Sequence, residues 1–265
     1  MKRSWTAAFK VALAVLAVLS FSIGEAKARP APKKKLLLYS LTKGFHHGST
    51  EVLEAELPKL GQESGAFECT VTESPDDLLE AKLKPYDAVF FFTTDKGGKG
   101  ELLPTPEHRK AVSDFVKGGK GIIGAHNATD SLYDWPEWAE IMGGYFAGHP
   151  WNQETGFKIE DATHPATKLL PNPFKFKEEI YVFKNFSRER VHVLMSVDTA
   201  TVDMKKAGNR TEFPFVWCRE YGKGRVFYTG FGHYNECWKD ETMMKKHLLP
   251  AIQWVMGDLP WKKSR

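Results

Sequence analysis

Gly118-Gly119-Lys120-Gly121-Ile122-Ile123-Gly124-Ala125-His126-Asn127-Ala128-Thr129-Asp130 decides how the rest of the chain is read. The glycine pair can end a helix, because glycine reaches the left-handed conformation without steric cost. Ile122 to Ala125 is apolar, long enough for a buried strand and too short for a helix. Polar residues follow at once: His126, Asn127, Thr129 and Asp130. In parallel α/β sheets, ligands bind outside the carboxyl ends of the strands. Small residues on both sides of His126 permit a sharp turn out of the strand. The spacing Gly-Ala-His-Asn-Ala mimics a nucleophile elbow with histidine in the nucleophile's place. On these residues alone, a core histidine at a strand end is an equal alternative.

The same pattern recurs upstream. Lys35 to Ser40 reads as a buried strand that ends in Thr42-Lys43-Gly44-Phe45-His46-His47-Gly48-Ser49. Ser49 or Thr50 is placed to cap the next helix, whose Leu53, Leu57 and Leu60 share a face. Pro58 inside that helix predicts a kink or an early end. The glycines of the loop match no nucleotide fingerprint. His47 is the stronger site candidate; His46 reads as solvated. Phe67 to Thr72 is a second strand, at an edge, and Asp76 to Ala81 a short helix. Ala88 to Phe92 is a third strand, ending in Thr93-Thr94-Asp95. Pro106 after Thr105 starts another helix, which Gly118-Gly119 ends. Helices alternating with short apolar strands imply a parallel sheet with right-handed crossovers. His47, Asp95 and His126 then reach one edge of it.

Downstream, Pro136 to Met142 is a short helix. Gly143 to Trp151 is an aromatic, glycine-rich loop carrying His149-Pro150, and a strand is expected at Phe157 to Glu160. His164, before Pro165, reads as structural. Glu178 and Glu179 open a strand, where neighbours face opposite ways, so one carboxylate can face a given pocket. Val191 to Val197 is a strand and Met204 to Thr211 a polar loop. Phe213 to Glu220 and Arg225 to Thr229 form a hairpin, with Phe213, Phe215, Trp217 and Arg219 on one face. The hairpin ends in Gly230-Phe231-Gly232-His233, a further strand-end histidine. Thr242 to Met256 is a closing amphipathic helix.

The chain has 265 residues. Residues 1–28 read as a secretory signal peptide: Lys2, Arg3 and Lys10, then an apolar run, then Ala26-Lys27-Ala28. The run is short for a membrane span; an uncleaved anchor is the alternative. Residues 29–35 form a basic linker and 36–260 a single domain. Without the signal, 33 basic side chains face 32 acidic ones. No basic patch argues for nucleic acid, and no later segment argues for a membrane. Cys69, Cys218 and Cys237 have no metal-ligand spacing and do not make a disulfide framework, though one bridge plus a free thiol stays open.

Gly44-Phe45-His46-His47-Gly48-Ser49, Gly121 to Asp130, Gly148-His149-Pro150, Glu178-Glu179-Ile180-Tyr181, Phe215 to Thr229 and Gly232-His233, in that order, resemble the trehalose-utilisation, or ThuA-like, family. The resemblance runs from about Leu36 to Gly257. It implies an α/β fold of the flavodoxin-like, class I glutamine amidotransferase-like kind: a mostly parallel sheet flanked by helices, with an antiparallel hairpin in the C-terminal part. It also implies a role in carbohydrate metabolism, with a sugar oxidoreductase as partner. Two departures matter. The amidotransferase nucleophile position holds His126 instead of cysteine, so glutamine hydrolysis is not expected. Where the family has aspartate before Glu179, this chain has Glu178, whose reach differs.

These readings converge on an exported enzyme, periplasmic or secreted, acting on a sugar or an oxidised (keto) sugar. His126, His47, His233 and Glu179 are the catalytic candidates, since imidazole titrates near neutrality. His149, Trp151, Asp95, Asn127, Asp130, Trp217 and Arg219 are the substrate-binding candidates. His47, His126 and His233 form a candidate site for a divalent metal ion. The alternative is a non-catalytic carbohydrate-binding or sensing protein using the same cleft. A cysteine-dependent reading requires one of the three thiols beside a histidine.

Overall fold

In the first half of the chain, strand boundaries follow the apolar runs closely. The computed structural model describes residues 33–95, 97 and 101–261; the expected signal peptide and the first residues of the linker lie outside them. Its strands are β1 (Lys34–Tyr39), β2 (Phe67–Thr72), β3 (Ala88–Phe91), β4 (Gly121–Ala125), β5 (Tyr145–Ile159), β6 (Phe174–Lys184), β7 (His192–Val197), β8 (Pro214–Tyr221) and β9 (Gly224–Thr229). The linker ends earlier than 35, because Lys34 and Lys35 already pair with Phe67 and Glu68. The helices are α1 (Thr50–Ser64), α2 (Glu80–Leu83), α3 (Pro106–Lys117), α4 (Pro136–Met142), α5 (Pro165–Lys168) and α6 (Leu249–Val255). A π-helical stretch over Thr242–Leu248 leads into α6, and a 3-10 turn over His126–Thr129 follows β4. No helix among the described residues is long and apolar enough to cross a membrane.

The sheet order is β2-β1-β3-β4-β9-β8-β7-β5-β6. Its first five strands are parallel. The remaining four attach antiparallel, so the antiparallel part extends well past the β8–β9 hairpin. Helices cover both faces. Leu36, Leu38, Phe90 and Ile123 join α1 and α6 in one core, and Leu37, Val89, Phe91 and Ile122 join α3 and α4 in the other. Burial on both faces is why these strands read as unbroken apolar runs.

Four expectations need correction. Pro58 neither ends nor breaks α1, which continues to Ser64. Leu53, Leu57 and Leu60, buried on both sides of the proline, hold the helix where a lost hydrogen bond would open it. Ser49 stands at the cap position of α1 without capping it. Gly143 to Trp151 is not a loop: from Tyr145 it belongs to β5, paired with β6 as far as Phe157 opposite Phe174. Register shifts around Gly148, whose φ is 137°, let the glycines and Pro150 sit inside a bulged strand. Finally, Phe213 and Phe215 enter one core and Trp217 the other. The β7–β8 ladder slips between Met195/Val216 and Ser196/Pro214, which turns the later residues over.

Candidate metal centre

Parallel topology sends the segments after β1, β4 and β9 to one edge, and each carries a histidine there. His47 lies just before α1, His126 opens the 3-10 turn after β4, and His233 closes the glycine loop after β9. Ring centroids stand 4.9 Å apart for His47–His126, 5.3 Å for His47–His233 and 5.4 Å for His126–His233. Glu179, from the middle of β6, completes the group. One ligand atom from each of His47, His126, Glu179 and His233 lies within 4.8 Å of all the others.

Local structure holds each imidazole in place. His126 has φ 38°, a left-handed conformation rarely adopted by a non-glycine residue and of a kind found at functional sites. Its Nδ1 donates to the Gly230 carbonyl at 3.1 Å, and its Nε2, the lone-pair nitrogen of the corresponding neutral tautomer, faces the cluster. That Nε2 is buried and has no hydrogen-bond partner, though it stands 3.4 Å from Glu179 Oε2. Tyr181 lies against the other face of the ring, centroids 4.0 Å apart. Gly232 passes so close that a Cβ there would come within 2.9 Å of His126 Cβ. His47 Nδ1 is 3.4 Å from the Asn127 amide. Turning that amide over makes the otherwise unpartnered Asn127 Oδ1 an acceptor for Nδ1–H and leaves Nε2 free to ligate. Ser49 Oγ donates to the Gly232 carbonyl at 2.5 Å, tying the His47 loop to the His233 loop. This bond is why Ser49 does not cap α1.

The electrostatics separate the members. Burial, reinforced by His126 and His233, lowers His47 to about 3, so it stays neutral. Burial pushes the Glu179 carboxyl up, but its contacts with His126 and His233 outweigh that and hold it well below the usual carboxylate range. His233 is opposed by burial yet raised overall by Glu179, whose Oε2 lies 3.1 Å from its Nδ1.

Other expected site residues divide into two groups. His149, half exposed on the bulged part of β5, places Nδ1 3.4 Å from Glu179 Oε1. Asp130 lies at the margin, bound to the Tyr133 hydroxyl at 2.6 Å, with its pKa raised by burial. Asn127 orients His47. Asp95 is buried and accepts the Leu132 N–H at 2.6 Å, which shapes the loop after β4. Trp151, Trp217 and Arg219 do not belong to the site. Trp151 is 1% exposed and donates to the Asp203 carbonyl; Trp217 is fully buried and donates to the Met142 carbonyl. Neither indole offers a face to a sugar. Arg219 pairs with Val226 near the start of β9, because β8 runs antiparallel and carries its later residues to the opposite edge. There it donates to the Glu140 carbonyl. His46 is exposed and pairs with Glu51 at 2.7 Å, and His164 is a buried cap of α5, as read from the sequence.

Two contributors were not among the site residues named from the sequence. Tyr181 is two residues beyond Glu179, so strand alternation puts both on one face. Glu178 turns to the backbone of the His233 loop. None of the three cysteines forms a disulfide, and among the described residues no thiol joins the cluster. Cys237 is pushed well above the usual thiol range by burial and by Glu178, the reverse of nucleophile activation.

The ThuA family model, described as trehalose utilisation, matches residues 35–255. The chain belongs to the ThuA family. A ThuA-like protein from Bacteroides uniformis ATCC 8492 aligns at 25% identity with TM-score 0.68, covering 87% of this chain and 94% of that one. A second, from Parabacteroides merdae ATCC 43184, aligns at 18% with TM-score 0.66, covering 88% and 93%. A β-galactosidase from Bacillus circulans sp. alkalophilus shares the fold over 85% of this chain and 31% of its own, at 12% identity and TM-score 0.53. No curated protein matches the chain by sequence. The ThuA fold is of the glutamine amidotransferase-like kind, and the ThuA family is one of carbohydrate metabolism.

Proposed function

We propose that this ThuA protein is an exported, metal-dependent enzyme that acts on a sugar or an oxidised (keto) sugar, with His47, His126, His233 and Glu179 holding the ion. The observation that carries the metal reading is the buried His126 imidazole. Its Nδ1–H is backed by a carbonyl, and its Nε2 is unpartnered and turned toward three further ligand atoms. Metal-bound histidines are built this way, with the second nitrogen donating to a backbone carbonyl or carboxylate. Three imidazoles and a carboxylate suit zinc or another first-row divalent ion better than magnesium or calcium, which favour oxygen. Ligand bonds of about 2.1 Å require the cluster to tighten by roughly half an ångström or more around the ion.

Such an ion supplies a Lewis acid for a carbonyl or hydroxyl oxygen. His149 and Asp130, at the margin, would bind a substrate held beside it. Family membership supports the sugar class, and the sequence of residues 1–28 supports export to the periplasm or beyond. A partner sugar oxidoreductase would supply the keto sugar.

The test is metal analysis of purified protein, with a turnover screen on disaccharides and keto-disaccharides before and after chelation. Near-stoichiometric zinc or a similar ion, with activity lost on chelation and restored by metal, supports the reading. Sugar binding without turnover, metal present, would favour a binding or sensing protein.

A further inference from the structure

Glu178 is fully buried, and every contact its carboxylate makes is with a donor. Oε1 accepts the N–H of Glu179 at 2.8 Å and of His233 at 3.1 Å. Oε2 accepts the N–H of Gly232 at 2.9 Å and the Cys237 thiol at 2.9 Å. Burial pushes its pKa up, so such a group is costly unless its hydrogen bonds are complete. The loop it serves has left the sheet: β9 ends at Thr229, and Gly232 has φ 146°. Without this carboxylate, the buried peptide N–H of Gly232 and the part-buried one of His233 would lose their acceptor.

Two of the three peptides held by Glu178 belong to members of the metal cluster. One oxygen, Oε1, takes the N–H of both Glu179 and His233, whose side chains then meet at 3.1 Å. We infer that Glu178 is a positioning residue: its carboxylate clasps β6 to the loop after β9 and so sets the separation of Glu179 and His233 before any ion binds. This rests on the metal reading of the site for its consequence, but the clasp itself is made by protein groups alone.

The experiment uses the full-length protein, free of metal and then titrated with zinc. Glu178→Gln keeps the volume but turns an amide NH2 toward donors. Amide hydrogen exchange at Gly232 and His233 should speed up about tenfold or more in the metal-free variant. Zinc affinity should fall about 10–100-fold, the range for residues that orient metal ligands. Val116→Ala, in the other core, should lower Tm and leave both readings unchanged. Should the Gln variant fail to fold, Glu178→Asp, one methylene short, and Cys237→Ala, lacking one of four contacts, should move both readings in the same direction by less. Unchanged protection at Gly232 and His233 in the variants would overturn the inference, as would zinc affinity within about twofold of wild type despite lost protection. If the wild-type protein binds no divalent ion, the metal reading fails, and the exchange rates alone decide the clasp.

Discussion

The two halves of the sheet build the site in different ways. The parallel half, β2-β1-β3-β4-β9, brings three histidines together as a by-product of topology. Each follows a strand running the same way, so each arrives at the same edge. The antiparallel half contributes through a ribbon. β5 pairs with β7 only over Phe157–Ile159, while its earlier residues pair with β6 alone. That β5–β6 arm carries Glu179, Tyr181 and His149 to the histidines. The difference teaches that the imidazole cluster is a feature of the core fold, whereas the carboxylate and the margin depend on how one ribbon is bulged and anchored.

If that division holds, the largest loss comes from the parallel half. His126→Ala should leave circular dichroism unchanged, reduce bound metal to about one-tenth or less, and abolish turnover. A variant that keeps metal and activity would remove His126 from its central place. Glu179→Gln, from the antiparallel arm, should weaken metal binding by a smaller factor than His126→Ala does, because three imidazoles remain. A loss equal to that of His126→Ala would show that the two halves contribute alike.

A third outcome concerns the packing behind the site. His164 and His247 are buried, and burial lowers them to about 3 and about 4. In the unfolded chain both take a proton near the ordinary value of about 6.5. The unfolded state therefore binds more protons across that window, and stability should fall as pH drops from about 6.5 toward 4, with little change above 7. Urea midpoints measured from pH 8 to pH 4 check this. His247→Gln should flatten the slope, and a midpoint that rose on acidification would contradict it. The smallest effect at the site is expected from Trp217→Ala. It should cost roughly 3–5 kcal/mol of stability and leave zinc and sugar affinity unchanged, as titration calorimetry below the shifted Tm would show. A loss of sugar affinity would return that indole to the binding surface.

Much of the parallel half was legible in the sequence. Leu36 to Tyr39, Ala88 to Phe91 and Ile122 to Ala125 are unbroken apolar runs because both faces are covered, and a polar switch marks where each ends. His47, His126 and His233 could be placed on one edge from strand direction alone. The antiparallel half was less legible. Gly143-Gly144 and Gly148-His149-Pro150 have loop composition, yet the later residues belong to a strand of 15. A bulge absorbs what local composition forbids when a partner strand supplies the hydrogen bonds.

The sequence by itself determined the alternation of strands and helices in the first half and the three histidines that meet, since these rest on periodicity and on the direction of short strands; the fold family came from the ordered motifs that resemble ThuA. Tertiary structure alone decided the rest. Trp151 and Trp217 went to the interior because shape and an acceptor for the indole N–H awaited them there. Arg219 went to the Glu140 carbonyl, 79 residues earlier in the chain. Glu178 turned to backbone N–H groups 54 and 55 residues later in the chain. Each of these choices is fixed by a partner distant in sequence, and no local pattern carries the address of that partner.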